Sequence, residues 1–402
     1  MKSLLPLLVG LMPIALWEAR AEDPLDQIEE WLSFSTANGA IRARASGLMD
    51  LEVYHFSDVA PGLIESSRRT LVNPRLTLLL DAQVGSQIYL FVQGRVDRGF
   101  DPADTGARFR FDEYALRWTP WEDGRLSIQV GKFSTVIGNY AERHLSWENP
   151  FITAPLPYAG VNAVSDLAAP AGLGDFTLGN AADKYEYLPI VWGPAYTTGV
   201  SVSGRLGKFD YAAELKNAAP ASRPETWELS DAGFGHPTVS ARIGFRPDQA
   251  WNFGLSASRG AYLRREAAST LPPGRGLGDY QQDLLGHDVS FAWHHWQLWG
   301  EIYAARFEVP RVGNADELAY YIEAKYKFTP QLFGALRWGQ QLFADVRDTG
   351  VPAGQDRWDA DAAVTYRFTA HTQLKLQYSL QKGELGADAL NHTLAAQFTL
   401  RF

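Results

Sequence analysis

The 402-residue chain has no cysteine, which excludes a disulfide framework, thiolate chemistry and a Cys-ligated metal. It has no basic excess either: 37 Lys and Arg stand against 46 Asp and Glu, a formal charge of −9. A nucleic-acid binder normally offers a basic stripe to the phosphates, so this balance argues against one. No apolar run is long enough to cross a bilayer as a helix, which takes roughly 20 residues. No H-E-x-x-H, G-x-S-x-G or phosphate-binding Gly-Lys-Ser/Thr motif occurs. Asp283, His287, Asp288, His294 and His295 invite comparison with a hydrolase or metal group. Read as strand neighbours, however, His294 and His295 point to opposite faces, and Asp283 and His287 lie at a loop margin. No catalytic residue, metal ligand or cofactor is therefore assigned.

What the chain does have is alternation. In the last segment Leu394, Ala396, Phe398, Leu400 and Phe402 point one way, and Ala395, Gln397, Thr399 and Arg401 the other. One greasy and one wet face fit a barrel wall between lipid and a polar interior. Leu374, Leu376, Tyr378 and Leu380 alternate with Gln373, Lys375, Gln377 and Ser379 in the same way. So do Leu318, Tyr320, Ile322, Ala324 and Tyr326 with Glu323, Lys325 and Lys327. A soluble sheet core does not set Lys, Gln and Arg at every second position, whereas a wet lumen tolerates them. The expectation is an all-β transmembrane antiparallel barrel of about sixteen strands, with eighteen as the alternative. Trp118, Trp121, Trp251, Phe328 and Phe368 fall near short polar turns, where interfacial aromatic girdles belong.

The start carries Lys2, an apolar stretch over residues 4–17 and Ala19-Arg20-Ala21, an A-x-A cleavage signal. Residues 1–21 are thus expected to be a signal peptide. Residues 22–46 place Leu25, Ile28 and Trp31 at helical spacing and read as a short periplasmic helix or a plug. The barrel is expected over 47–402. Its rhythm breaks between 134 and 194, where six prolines lie from Pro150 to Pro194 and rule out a continuous central strand. A loop of that length and aromatic content is expected to fold in or over the lumen.

With these features the chain resembles Gram-negative outer-membrane porins. The segment Leu126-Ser127-Ile128-Gln129-Val130-Gly131-Lys132-Phe133 is similar to the strand-then-G-K-F step of general and phosphate-selective-type porins, and Gly138 follows it compatibly. The set Phe398, Leu400 and Phe402 looks like the end read by the barrel-assembly machinery. The resemblance implies an outer-membrane location, contact with lipid and lipopolysaccharide, and passage of small polar solutes. Homotrimers are common among such porins, although the residues here do not spell one out.

A pore asks little of special residues. Arg75, Arg95, Arg117, Arg125, Lys325, Arg367, Lys375 and Arg401 are expected to give the lumen a positive field, opposed by Asp97, Glu113, Glu323 and Asp361. Arg143, His144, Trp147, Glu148 and Tyr158, in the anomalous middle segment, are the constriction candidates. The functional expectation is passive diffusion of small hydrophilic solutes without covalent chemistry. A barrel that surrounds or anchors a periplasmic partner is the alternative, and an outer-membrane hydrolase a more remote one.

Overall fold

The computed structural model describes residues 24–402 apart from 59, 178–180, 348 and 384–388. The expected signal peptide lies outside the described residues. Sixteen strands close into one antiparallel barrel. In chain order they are β1 (Ile41–Phe56), β2 (Thr70–Val84), β3 (Ile88–Asp97), β4 (Arg108–Trp118), β5 (Ser127–Phe133), β6 (Thr197–Leu206), β7 (Phe209–Lys216) and β8 (Thr238–Phe245). The second half comprises β9 (Trp251–Ala261), β10 (Gln281–Trp293), β11 (Trp296–Val309), β12 (Gly313–Lys327), β13 (Leu332–Phe343), β14 (Arg357–Arg367), β15 (Thr372–Lys382) and β16 (Asn391–Arg401). Each strand pairs with the next, and β16 pairs with β1. Closure is required because lipid cannot satisfy a free strand edge.

The two-residue period separates two environments. In β1, Met49, Leu51 and Val53 are exposed on the outer wall, whereas Asp50, Glu52 and Tyr54 are buried inside. Antiparallel partners share a face, so Asp50 sits opposite Arg75 in the lumen and Met49 opposite Leu76 outside. The same phase holds in β12, where Ile322 is exposed and Tyr321 and Glu323 are fully buried.

Connections 85–87, 207–208, 294–295, 328–331 and 368–371 are short and share one rim, while 57–69, 134–196, 217–237 and 262–280 share the other. Short turns mark the periplasmic side of such barrels. Trp118, Trp121, Trp251, Phe328 and Phe368 are all exposed beside the short-turn rim.

Several boundaries differ from the sequence expectation. Residues 294–295 are not strand positions: they form the whole turn between β10 and β11, with His294 at φ +52°. Turn backbone, and not strand alternation, sets their directions. Asp283 does stand near a loop margin, as the third residue of β10, but His287 is its seventh and lies well inside the strand. Both lie within β10 on its outer face, where Asp283 pairs with Arg259 at 3.0 Å and His287 Nδ1 lies 2.8 Å from the Gly254 carbonyl. In the 22–46 region the helix α1 (Pro24–Trp31) has no buried residue, and the barrel strand already begins at Ile41. Asp26 of that helix lies 2.8 Å from His371 Nε2, which places it on the short-turn rim.

Candidate pore constriction

The chain leaves the wall at Phe133 and returns at Thr197. Irregular backbone at membrane depth needs protein partners for its amides and carbonyls, and lumen-facing side chains provide them. Glu301 on β11 accepts the backbone N–H groups of Asn139 (2.5 Å) and Tyr140 (2.9 Å) and the Tyr158 hydroxyl (2.6 Å). Gly138 takes φ +70° and faces the Tyr303 and Tyr158 hydroxyls so closely that a Cβ there would collide with both. Only glycine meets both demands cheaply.

Further along, Arg143 pairs with Glu323 of β12 at 2.5 Å and donates to the Tyr321 hydroxyl at 2.9 Å. Gln377 of β15 accepts from the Ile152 amide at 2.6 Å, and Arg337 of β13 donates to the Thr153 carbonyl at 3.0 Å. Asn162 donates to Glu317 of β12 at 2.7 Å. Across the lumen, Tyr196 links His144 (2.6 Å) to Gln93 of β3 (3.3 Å). The segment is therefore bound to opposite walls of the barrel.

A cavity of about 140 Å³ remains between this segment and the wall, bordered by Arg75, Arg95, His144, Asp359, Asp361 and Gln397. That is room for several waters. Its charges are largely matched: Arg75 pairs with Asp50 (3.6 Å) and Glu52, Arg95 with Asp112 (3.0 Å), and Arg337 with Asp361 (2.6 Å). Asp101, in the β3–β4 connection, also lines this cavity and accepts from the Trp192 indole N–H at 2.9 Å. Burial pushes the Asp101 carboxyl up to about 7 against the opposing pull of that hydrogen bond and of Arg110 and Arg95.

The five constriction candidates have different roles. His144 borders the cavity. Arg143 and Tyr158 are buried and hold the segment to the β11–β12 wall. Trp147 is buried under two guanidinium groups, Arg367 at 4.8 Å and Arg401 at 4.5 Å from its ring centre. Glu148 is exposed.

Of the expected lumen charges, Arg75, Arg95, Asp97, Glu113, Glu323, Lys325, Asp361, Arg367, Lys375 and Arg401 share the inner face. Arg117 reaches that face at the exposed end of β4 and donates to Gln129 at 2.9 Å. Arg125 does not line the wall. It lies in the turn before β5 and pairs locally with Asp123 at 2.9 Å, because the strand starts two residues later than its polarity suggests. Glu301, Glu317, Arg337 and Arg357 were not singled out from sequence, although all four sit in lumen phase on strands whose alternation is plain.

No protein-family model and no curated protein matches the sequence. Solved structures do. The outer-membrane channel DcaP of Acinetobacter baumannii superposes with TM-score 0.59 at 12% identity, over 92% of this chain and 99% of that one. The anion-selective porin from Comamonas acidovorans gives 0.57 at 10% identity, over 90% and 100%. The fold is that of outer-membrane porins. OmpT of Vibrio cholerae, in a trimer form, gives 0.54 at 13% identity over 90% and 100%. A barrel of this fold, with an apolar outer belt and a charged interior, belongs in the Gram-negative outer membrane.

Proposed function

We propose that this protein is a passive diffusion channel for small hydrophilic solutes, narrowed by residues 134–196 and performing no covalent chemistry. The observation that carries the proposal is the pairing of an apolar outer wall with a lumen of water-compatible charge pairs, crossed by one folded segment. In planar bilayers the purified protein gives stepwise conductance, and liposomes containing it swell in small sugars and not in large ones. The solved trimer form of a similar fold supports a homotrimer here as well, checked by an unheated band of about three times the chain mass on gels.

A second reading is favoured by the small residual cavity of about 140 Å³. In it the barrel is a closed scaffold around or beside a periplasmic partner. Absence of conductance, together with stable co-purification of one periplasmic protein, selects the scaffold.

A further inference from the structure

Upper and middle lumen arginines are neutralised: Arg75, Arg95, Arg110, Arg143, Arg242 and Arg337 each have a carboxylate partner within 4.0 Å. On β12 and β14–β16, nearer the short-turn rim, the pattern reverses. Among the described residues, Lys325, Arg367, Lys375 and Arg401 make no ion pair. They project inward from β12, β14, β15 and β16.

These cations are held together by aromatic rings and carbonyls. Arg367 and Arg401 share the Trp147 ring. Arg367 also lies 5.3 Å from the Phe333 ring centre, and Lys325 lies 4.3 Å from the same ring. Lys375 donates to the Ser146 carbonyl, the residue before Trp147. Glu148 is the carboxylate that acts on Lys325 and Arg367 electrostatically, and it is exposed. Three partly exposed cations thus surround a turn carrying one negative charge, with Lys375 fully buried behind them and facing Asp50 and Glu52. Lys325, Arg367 and Arg401 are partly exposed and open to solute. Fixed like charges in a confined, low-dielectric channel raise the local concentration of mobile counter-ions.

We propose that Lys325, Arg367 and Arg401, gathered around Trp147 with the buried Lys375 holding the Ser146 carbonyl behind them, form an oxyanion-binding station in the periplasmic half of the lumen. It takes small solutes bearing a carboxylate or phosphate group. Arg367 donates to Gln373 (3.3 Å) and the Trp147 carbonyl (3.2 Å), and Arg401 to the Ala370 carbonyl (3.0 Å). These acceptors are neutral, so the oxyanion takes the remaining N–H groups in place of the missing carboxylate partner. The station deepens the channel reading and rests on it for its transport role.

Two measurements test it on the full-length protein in detergent or bilayers. The first is the zero-current potential across a KCl gradient in wild type, Arg367→Gln/Arg401→Gln and Lys325→Gln. The second is the rise in Tm caused by inorganic phosphate or acetate at constant ionic strength, since a ligand of the native state stabilises it. Wild type is expected to favour anions. The double variant shifts toward cations and loses the phosphate and acetate rise, and Lys325→Gln shifts the same way by less while keeping the Trp147 clamp. Unchanged selectivity and an unchanged oxyanion response in both variants overturn the station while leaving the channel intact. A barrel without conductance whose oxyanion response is lost in the variants supports the station and overturns the channel.

Discussion

Arg143 Nη1 lies 2.5 Å from a carboxylate oxygen of Glu323, tying the lumen segment to the wall strand β12 through a pair almost shut off from water. Glu323 is not left alone when Arg143 is removed, because Arg337 stands 3.4 Å from its other oxygen. Breaking a buried ion pair from one side costs about 3–5 kcal/mol, and the second arginine holds Arg143→Ala to the lower part of that range. The cost falls on seating of the segment, since the sixteen-strand ladder is untouched. Single-channel recordings of Arg143→Ala are expected to show larger and noisier currents than wild type. Currents identical to wild type show that the pair does not hold the constriction.

Asp101 gives docking of the β3–β4 connection a pH dependence. Burial raises its folded carboxyl to about 7, above the ordinary value of 3.8. Below pH 4 the group is protonated in docked and undocked loops alike, so it has no effect. As pH rises from about 4 to 7 the undocked loop ionises and the docked one resists, so docking against Trp192 weakens across that window and levels off above it. Conductance measured from pH 5 to 8 should rise with pH in wild type. Asp101→Asn should remove that slope while keeping an acceptor for the indole N–H. A slope retained in the variant assigns the pH response elsewhere.

The wall was legible in the sequence because lipid and water impose a two-residue period that chance does not sustain. The phases of Leu394 to Phe402, Leu374 to Leu380 and Leu318 to Tyr326 all appear in the barrel. Turn edges were less legible. The rings of Trp293 and Trp296 carry outer-wall character right up to the His294–His295 turn, so apolar pattern alone does not show where pairing stops. The partners of the middle segment were not legible at all. Arg143 and Glu323 are 180 positions apart in a chain with many inward acids, and alternation gives a face without giving a neighbour across the lumen. Tyr158 illustrates the same gap: its place in the anomalous segment makes it a constriction candidate, and nothing in the sequence shows that its hydroxyl is spent on Glu301.

Glu301 is the organising acceptor of the first lumen turn, taking donors from Asn139, Tyr140, Tyr158 and Tyr303. Tyr158→Phe removes one of these, and a hydrogen bond to a charged group contributes about 1.5–3 kcal/mol. Glu301→Gln is expected to be worse, because the acceptor of both backbone amides loses its charge and the new N–H groups fit only against the Tyr158 and Tyr303 hydroxyls, which must then turn to accept. Hydrogen exchange at the Asn139 and Tyr140 amides should therefore speed up modestly in Tyr158→Phe and strongly in Glu301→Gln. The reverse order removes Glu301 from the centre of this turn.

The barrel seam makes a separate demand at Gly47. Its amide donates to the Phe402 carbonyl at 2.8 Å, and the Phe402 amide returns a bond of 3.1 Å to Gly47. A Cβ at this position would lie 2.5 Å from Phe402 Cζ and 2.9 Å from the Thr77 carbonyl oxygen. The ring can swing aside, but the strand carbonyl cannot, so Gly47→Ala is expected to lower the refolding yield in detergent, read as the fraction of heat-modifiable barrel on gels. Phe402→Ala added to it should restore only part of that yield, because the Thr77 clash stays. Phe402→Ala alone separates two roles of the last residue. Normal refolding in detergent with poor assembly in cells supports Phe398, Leu400 and Phe402 as the end read by the assembly machinery, whereas equal losses in both settings reduce Phe402 to a packing residue of the seam.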